Sequence, residues 1–149
     1  MAPADTGSFA VRVLSVGSHP EDHLALGKVV TGQEPPYCSD CRFEVVTADD
    51  VDGALRALED AQIPIVFCDR ELGKDDTWKT LLAGLAQLED PPFLIVGSRS
   101  ADEFLWAEAL NLGAYDVLAR PFEPSEVMRT LCLAWLRWNE VGRPRPAAA

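Results

Sequence analysis

The sequence predicts an α/β domain: a doubly wound, five-stranded parallel sheet with five helices on its two faces. Three observations carry this. Five short apolar runs, most of them rich in β-branched residues, recur along the chain. Each is followed by a stretch whose apolar residues keep helical spacing, so strand and helix alternate. The third run, IPIVFC (Ile63–Cys68), is apolar throughout, as a strand covered on both faces should be.

The elements follow in order. VRVLSV (Val11–Val16) is the first strand. Pro20-Glu21-Asp22 opens a helix, with proline in the first turn and acids at the positive end of the dipole, and the helix runs to about Val30. FEVVT (Phe43–Thr47) is the second strand, and Val51, Ala54, Leu55 and Leu58 mark the helix after it. Beyond the third strand, Trp78, Leu81, Leu82, Leu85 and Leu88 form a helical stripe. FLIV (Phe93–Val96) is the fourth strand. Ala101, Leu105, Ala109 and Leu112 give a helix with Ser100 as the expected N-cap and Gly113 as its stop. YDVL (Tyr115–Leu118) is a short fifth strand, and the last helix begins after Pro124 and carries Val127, Leu131, Ala134 and Trp138. Residues 1–8 read as a disordered tail, 9–140 as one domain, and 141–149 as a second tail or a truncated linker.

Composition narrows the class. At 149 residues, 48% hydrophobic and 25% charged, the chain can bury a proper core, and global disorder is excluded. A net charge of -11 repels phosphate backbones, so nucleic-acid binding is not expected. No apolar run approaches the ~18 residues of a membrane span. The N-terminus lacks a basic region followed by an apolar stretch, so no signal peptide is read and the cytoplasm is the expected compartment.

In a parallel sheet, chemistry sits beyond the carboxyl ends of the strands. Those positions are Gly17-Ser18-His19, Asp69-Arg70, Ser98-Arg99 and Arg120-Pro121. Three stretches there, IVFCDRELG, LIVGSRS and LGAYDVLARPFEPSEV, resemble the receiver domain of bacterial response regulators. The resemblance spans nearly all of Val11–Trp138. It implies the CheY-like, flavodoxin-like strand order 2-1-3-4-5, a role in two-component signalling, and a histidine kinase or signalling protein as partner. It places Asp69 at the phospho-acceptor position, Ser98 at the switch hydroxyl and Arg120 at the phosphate-contacting lysine.

The departures from the family pattern matter most. The acidic pair that helps to hold Mg²⁺ in receivers is replaced by Gly17 and Ser18. The switch aromatic is Val117, the proline after the phospho-acceptor is Gly73, and the small residue after the switch hydroxyl is Arg99. Magnesium favours hard carboxylate and water oxygens, and one carboxylate is a poor donor set for it. Mg²⁺ is not expected as a cofactor, nor is any other. Glu21 and Asp22 follow closely, but the first turn of a helix is a natural place for acids. A guanidinium from Arg120, or from Arg99, is expected to pair with Asp69 instead. Three readings of Asp69 stay open: a relic, a structural ion pair, or a phospho-acceptor. The fold resemblance implies a non-enzyme that acts by protein contact. The alternatives are a working receiver phosphorylated on Asp69, or an anion-binding or thiol-redox module.

Other candidates are weaker. Cys38-Ser39-Asp40-Cys41 is a lone C-x-x-C after a proline-rich loop, better read as plain loop thiols or a local disulfide than as a zinc or thioredoxin-like site. His19 is a possible ligand but reads more simply as solvated. No Ser/His/Asp arrangement or glycine-rich phosphate loop is present. Trp106 and Trp135 lie off their helix stripes and could form one adhesive patch on the face of the fourth helix, fifth strand and fifth helix. Receivers dimerise or bind partners through that face, so a homodimer there is a further expectation.

Overall fold

The computed structural model describes residues 9–36, 41–73, 75–99 and 102–140. The two expected tails, Ser100 and Cys38 lie outside the described residues. The parallel sheet comprises β1 (Phe9–Val16), β2 (Cys41–Ala48), β3 (Ile65–Asp69), β6 (Phe93–Ser98) and β7 (Asp116–Ala119) in the order β2-β1-β3-β6-β7. Two short strands, β4 (Glu71–Gly73) and β5 (Asp76–Thr77), form a separate antiparallel hairpin. Without it the order is the expected 2-1-3-4-5. The hairpin was not anticipated, and it accounts for one departure from the family pattern. Gly73 has φ 82°, a left-handed value that the proline ring, fixed near -65°, cannot adopt.

Five helices cover the sheet: α1 (Pro20–Gly32), α2 (Val51–Asp60), α3 (Trp78–Leu85), α4 (Glu103–Leu112) and α5 (Pro124–Glu140). Leu26 and Val30 of α1 and Val127, Leu131 and Ala134 of α5 share one core with Val11, Val13, Ile65 and Phe67. Val51, Trp78, Leu81, Leu105 and Ala109 share the other with Leu14, Val16, Val66 and Cys68. The central β3 explains its all-apolar sequence: Ile65, Val66, Phe67 and Cys68 alternate between the two cores and are each at most 1% exposed. Complete burial of each large apolar side chain contributes roughly 1.5–3 kcal/mol. The edge strand β2 alternates buried and exposed residues at its start instead.

The helix ends differ from the sequence expectation more than the helix faces do. α4 starts at Glu103 with Asp102 as its N-cap, the carboxylate accepting from Leu105 N–H at 2.9 Å. The expected cap at Ser100 is therefore replaced by an acid two residues on, which satisfies an orphan amide and also meets the positive dipole end. Gly113 ends α4 as expected, with φ 114°. α3 stops at Leu85, so Leu88 packs against the core from beyond the helix. Among the described residues no helix is long and apolar enough to cross a membrane.

Candidate functional site at the carboxyl ends of the strands

Asp69 is the last residue of β3, and its register partner on β6 is Gly97. Ser98 ends β6 and is aligned with Ala119, the last residue of β7. Arg120 follows at once and donates its backbone N–H to the Ser98 carbonyl at 3.0 Å. Parallel register alone therefore delivers Asp69, Ser98 and Arg120 to one edge of the sheet.

Arg120 has the most informative side chain. Only 8% exposed, it lies between two carboxylates: Nη1 is 3.2 Å from Asp22 Oδ1 and Nε is 3.5 Å from Asp69 Oδ2. The Asp69 contact is an ion pair without a hydrogen bond, since Nε is buried with no acceptor in line. The other Asp69 oxygen accepts from Arg70 N–H at 2.6 Å. The guanidinium carbon is 4.6 Å from the centroid of the Phe122 ring, a cation–π contact, and Phe122 meets Phe67 edge to face at 5.1 Å.

Gly97 makes room for this stack. A Cβ at that position would lie 3.0 Å from Phe67 Cε1, 3.4 Å from Phe122 Cε1 and 3.5 Å from Arg120 Nε. Both rings and the guanidinium thus crowd the space that a side chain would need.

Asp22 is more than the ordinary helix-start acid that the sequence suggests. Its position in the first turn of α1, after Pro20, points it back over the strand ends toward Arg120. The next residue, His23, holds the β1–α1 turn. Nε2 is 2.9 Å from the Gly17 carbonyl and Nδ1 is 2.7 Å from Ser15 Oγ. The ring therefore donates to the carbonyl, and its other nitrogen meets the hydroxyl.

Two expectations about the pocket need correction. Arg99 does not pair with Asp69: it lies exposed on the turn after β6, while Arg120, brought in by β7, takes the contact. Nor is the pocket limited to the one carboxylate expected, because Asp22 is a second and one guanidinium serves both. Arg70 contributes its backbone, donating to Asp69 and accepting from Trp78 N–H at 3.0 Å. Ser98 is buried, whereas Ser18 and His19 are exposed.

The donor set does not fit the Mg²⁺ that the family implies. Gly17 and Ser18 offer no carboxylate, and the two acids present face a guanidinium. No group of three or more His, Cys, Asp or Glu side chains converges among the described residues.

The remaining candidates lie apart from the pocket. Cys68 precedes Asp69 but points into the core, and burial, then the neighbouring Asp69 charge, push its thiol up. It stays protonated and unreactive at neutral pH. Cys41 begins β2 and is buried. Trp106 and Trp135 do not share a patch. Trp106, 52% exposed, lines a groove with Val117 and Ala119, whereas Trp135 lines another with Ala10, Gln62 and Pro64.

Comparison with known proteins places this geometry in a family. The family model described as "Response regulator receiver domain" matches residues 36–131. The regulatory protein VirG of Agrobacterium tumefaciens (strain 15955) is 30% identical over 92 residues, covering 62% of this chain and 34% of VirG. VirG of Rhizobium rhizogenes is 27% identical over 103 residues, covering 69% and 42%. The chain thus spans about a third of the length of the first of these relatives. Among solved structures, the signal receiver domain of an HD domain-containing protein from Pseudomonas fluorescens Pf-5 superposes with a TM-score of 0.72 at 23% identity, covering 88% of this chain and 98% of that one. A CheY-like response regulator receiver domain protein from Methanospirillum hungatei JF-1 gives 0.72 at 17% identity, covering 89% and 99%. With the strand order, the strand-end acid and the family match in agreement, the chain belongs to the response regulator receiver domain family.

Proposed function

We propose that this receiver domain acts in two-component signalling by protein–protein contact, with Mg²⁺-dependent phosphorylation of Asp69 impaired or absent. The observation that carries the reading is the Arg120 guanidinium shared by Asp22 and Asp69. Phosphoryl transfer to a carboxylate needs positive charge placed to offset the negative charge on the transferring oxygens. Here the buried cation already faces two acids, and the positions of the acidic pair, Gly17 and Ser18, add none. In this reading Asp69 keeps the phospho-acceptor position and Arg120 the phosphate-contact position, as parts of a standing ion-pair latch, and Ser98 keeps the switch-hydroxyl position beside it. The domain is not an enzyme. It works in the cytoplasm with a signalling protein or a histidine kinase as its partner.

A titration with beryllofluoride and Mg²⁺, followed by amide NMR shifts, tests this. The expected result is no saturable shift around Asp69. Saturable shifts at Asp69, Ser98 and Arg120 would overturn it. They would favour the second reading, a working phospho-acceptor, which one observation supports: Arg120 Nε is buried without an acceptor, and an oxygen ligand on the partly exposed Asp69 would give it one.

A further inference from the structure

We propose that the outer edge of β2 pairs with the same edge of a second copy of this chain, antiparallel and about a two-fold axis at Phe43. The two five-stranded sheets then run on as one. The contact lies at the amino end of β2, away from the latch of Asp22, Arg120 and Asp69 at the carboxyl ends, and does not depend on the chemistry of Asp69.

The two edges of the sheet are guarded differently. β7 is four residues long, and Arg120-Pro121 follows it at once. A short strand closed off by proline is a poor template for another strand. β2 is eight residues long, CRFEVVTA, without proline or lysine. Its register with β1 is unbroken from Cys41 to Ala48, so no bulge turns the edge away. Among the described residues, no other backbone bonds to Arg42–Thr47 on the side away from β1. Val45 and Val46 pack toward opposite cores and are both only half-buried, as suits an uncovered edge.

Charge selects the occupant. Arg42 and Glu44 are the charged residues of β2; both are exposed, and they bond to each other at 3.3 Å. In antiparallel pairing about Phe43, Arg42 lies directly opposite the partner's Glu44, and Glu44 opposite the partner's Arg42, with all four side chains on one face. Pairing centred on Val45 instead would set Arg42 against Ala48 and Glu44 against Val46, leaving both charges unmatched. Arg12, also exposed, is the register partner of Glu44 on β1. Arg12, Glu44 and the partner's Arg42 then form a row of alternating sign across neighbouring strands. On the other face Phe43 meets the partner's Phe43, a cross-strand aromatic pair. The net charge of -11 opposes self-association in general. At this edge two arginines stand to one glutamate, so the opposition is locally lifted.

Sedimentation velocity of the intact chain, over a concentration series up to about 1 mM, is the test. A reversible dimer is expected. Arg42→Glu sets glutamate against glutamate at both contacts, and Glu44→Arg sets arginine against arginine. Each is expected to weaken the dimer about tenfold or more. The double variant, Arg42→Glu with Glu44→Arg, restores opposite signs and is expected to return to within about threefold of the unaltered chain. Both positions are exposed, so the exchanges leave the core intact. Amide hydrogen exchange locates the contact: protection is expected to rise with concentration at alternate residues of Arg42–Val45.

A chain that stays monomeric over the whole series would overturn the proposal. So would a dimer that neither single exchange weakens, or a double variant as weak as the single ones. Protection that grows at α4 and β7 while β2 is unchanged would place the contact elsewhere and overturn it too.

Discussion

The two ends of the sheet are closed by different physics. At the carboxyl ends a buried guanidinium sits between Asp22 and Asp69. At the amino ends of β6 and β7, Phe93 packs against Tyr115 at 5.0 Å and against Trp138 at 6.0 Å. Apolar burial is non-directional and strong in sum, whereas an ion pair is directional and depends on every partner being present. The aromatic end should therefore dominate stability. The charged end should show coupling between particular residues.

The largest effect is expected at the aromatic end. Trp138→Ala should cost about 3–5 kcal/mol in urea denaturation, because a 5% exposed indole leaves a cavity. A loss under about 1 kcal/mol would mean that packing does not hold this end. At the charged end, Asp22→Asn and Asp69→Asn should each cost about 1 kcal/mol or less, since Arg120 keeps its other partner. Together they should cost about 3 kcal/mol, more than the sum, because the buried guanidinium then has neither. Strict additivity would show that the two acids do not share one cation.

Gly97→Ala tests the stack from beneath. Its Cβ would meet Phe67 and Phe122, so a loss of about 1–2 kcal/mol is expected, with NMR shifts at Arg120 and Phe122. Unchanged shifts would mean that the rings yield freely.

The smallest effect concerns pH. Burial holds the Cys68 thiol above its ordinary value of 9.0, so above that pH the unfolded chain loses a proton that the native state keeps. Stability is then full below about pH 9 and falls by roughly 1 kcal/mol over the next pH unit. Cys68→Ala should remove this part of the alkaline slope. Tyr115, raised chiefly by burial and next by Asp116, adds a further decline above 10.0.

Much of this was legible in the sequence because hydrophobic period and strand-helix alternation report burial directly. IPIVFC could scarcely be anything but a central strand, and its end put Asp69 in the right place. Arg120 was legible for the same reason, one residue past a strand. Asp22 was not, because an acid in the first turn of a helix already has a local explanation, and only tertiary geometry reveals a second partner. Arg99 misled because one guanidinium looks like another in sequence, while its place on the turn after β6 leaves it exposed. The hairpin of β4 and β5 escaped because two- and three-residue strands have no period to read.

His23 and Asp22 are adjacent on α1, and each grips a different neighbour. One holds the turn after β1; the other holds Arg120, whose ring partner Phe122 packs in the core shared by α1 and α5. That layer is nailed to the sheet at two points. The layer of α2, α3 and α4 has its own tether, Lys79 to Glu108, which joins α3 to α4 and ties neither to the strand ends. A load applied at the rim of α4 therefore meets side-chain anchors on one face of the sheet, and on the other a layer fastened at the strand ends by the backbone bond from Trp78 to Arg70 and beneath by core packing.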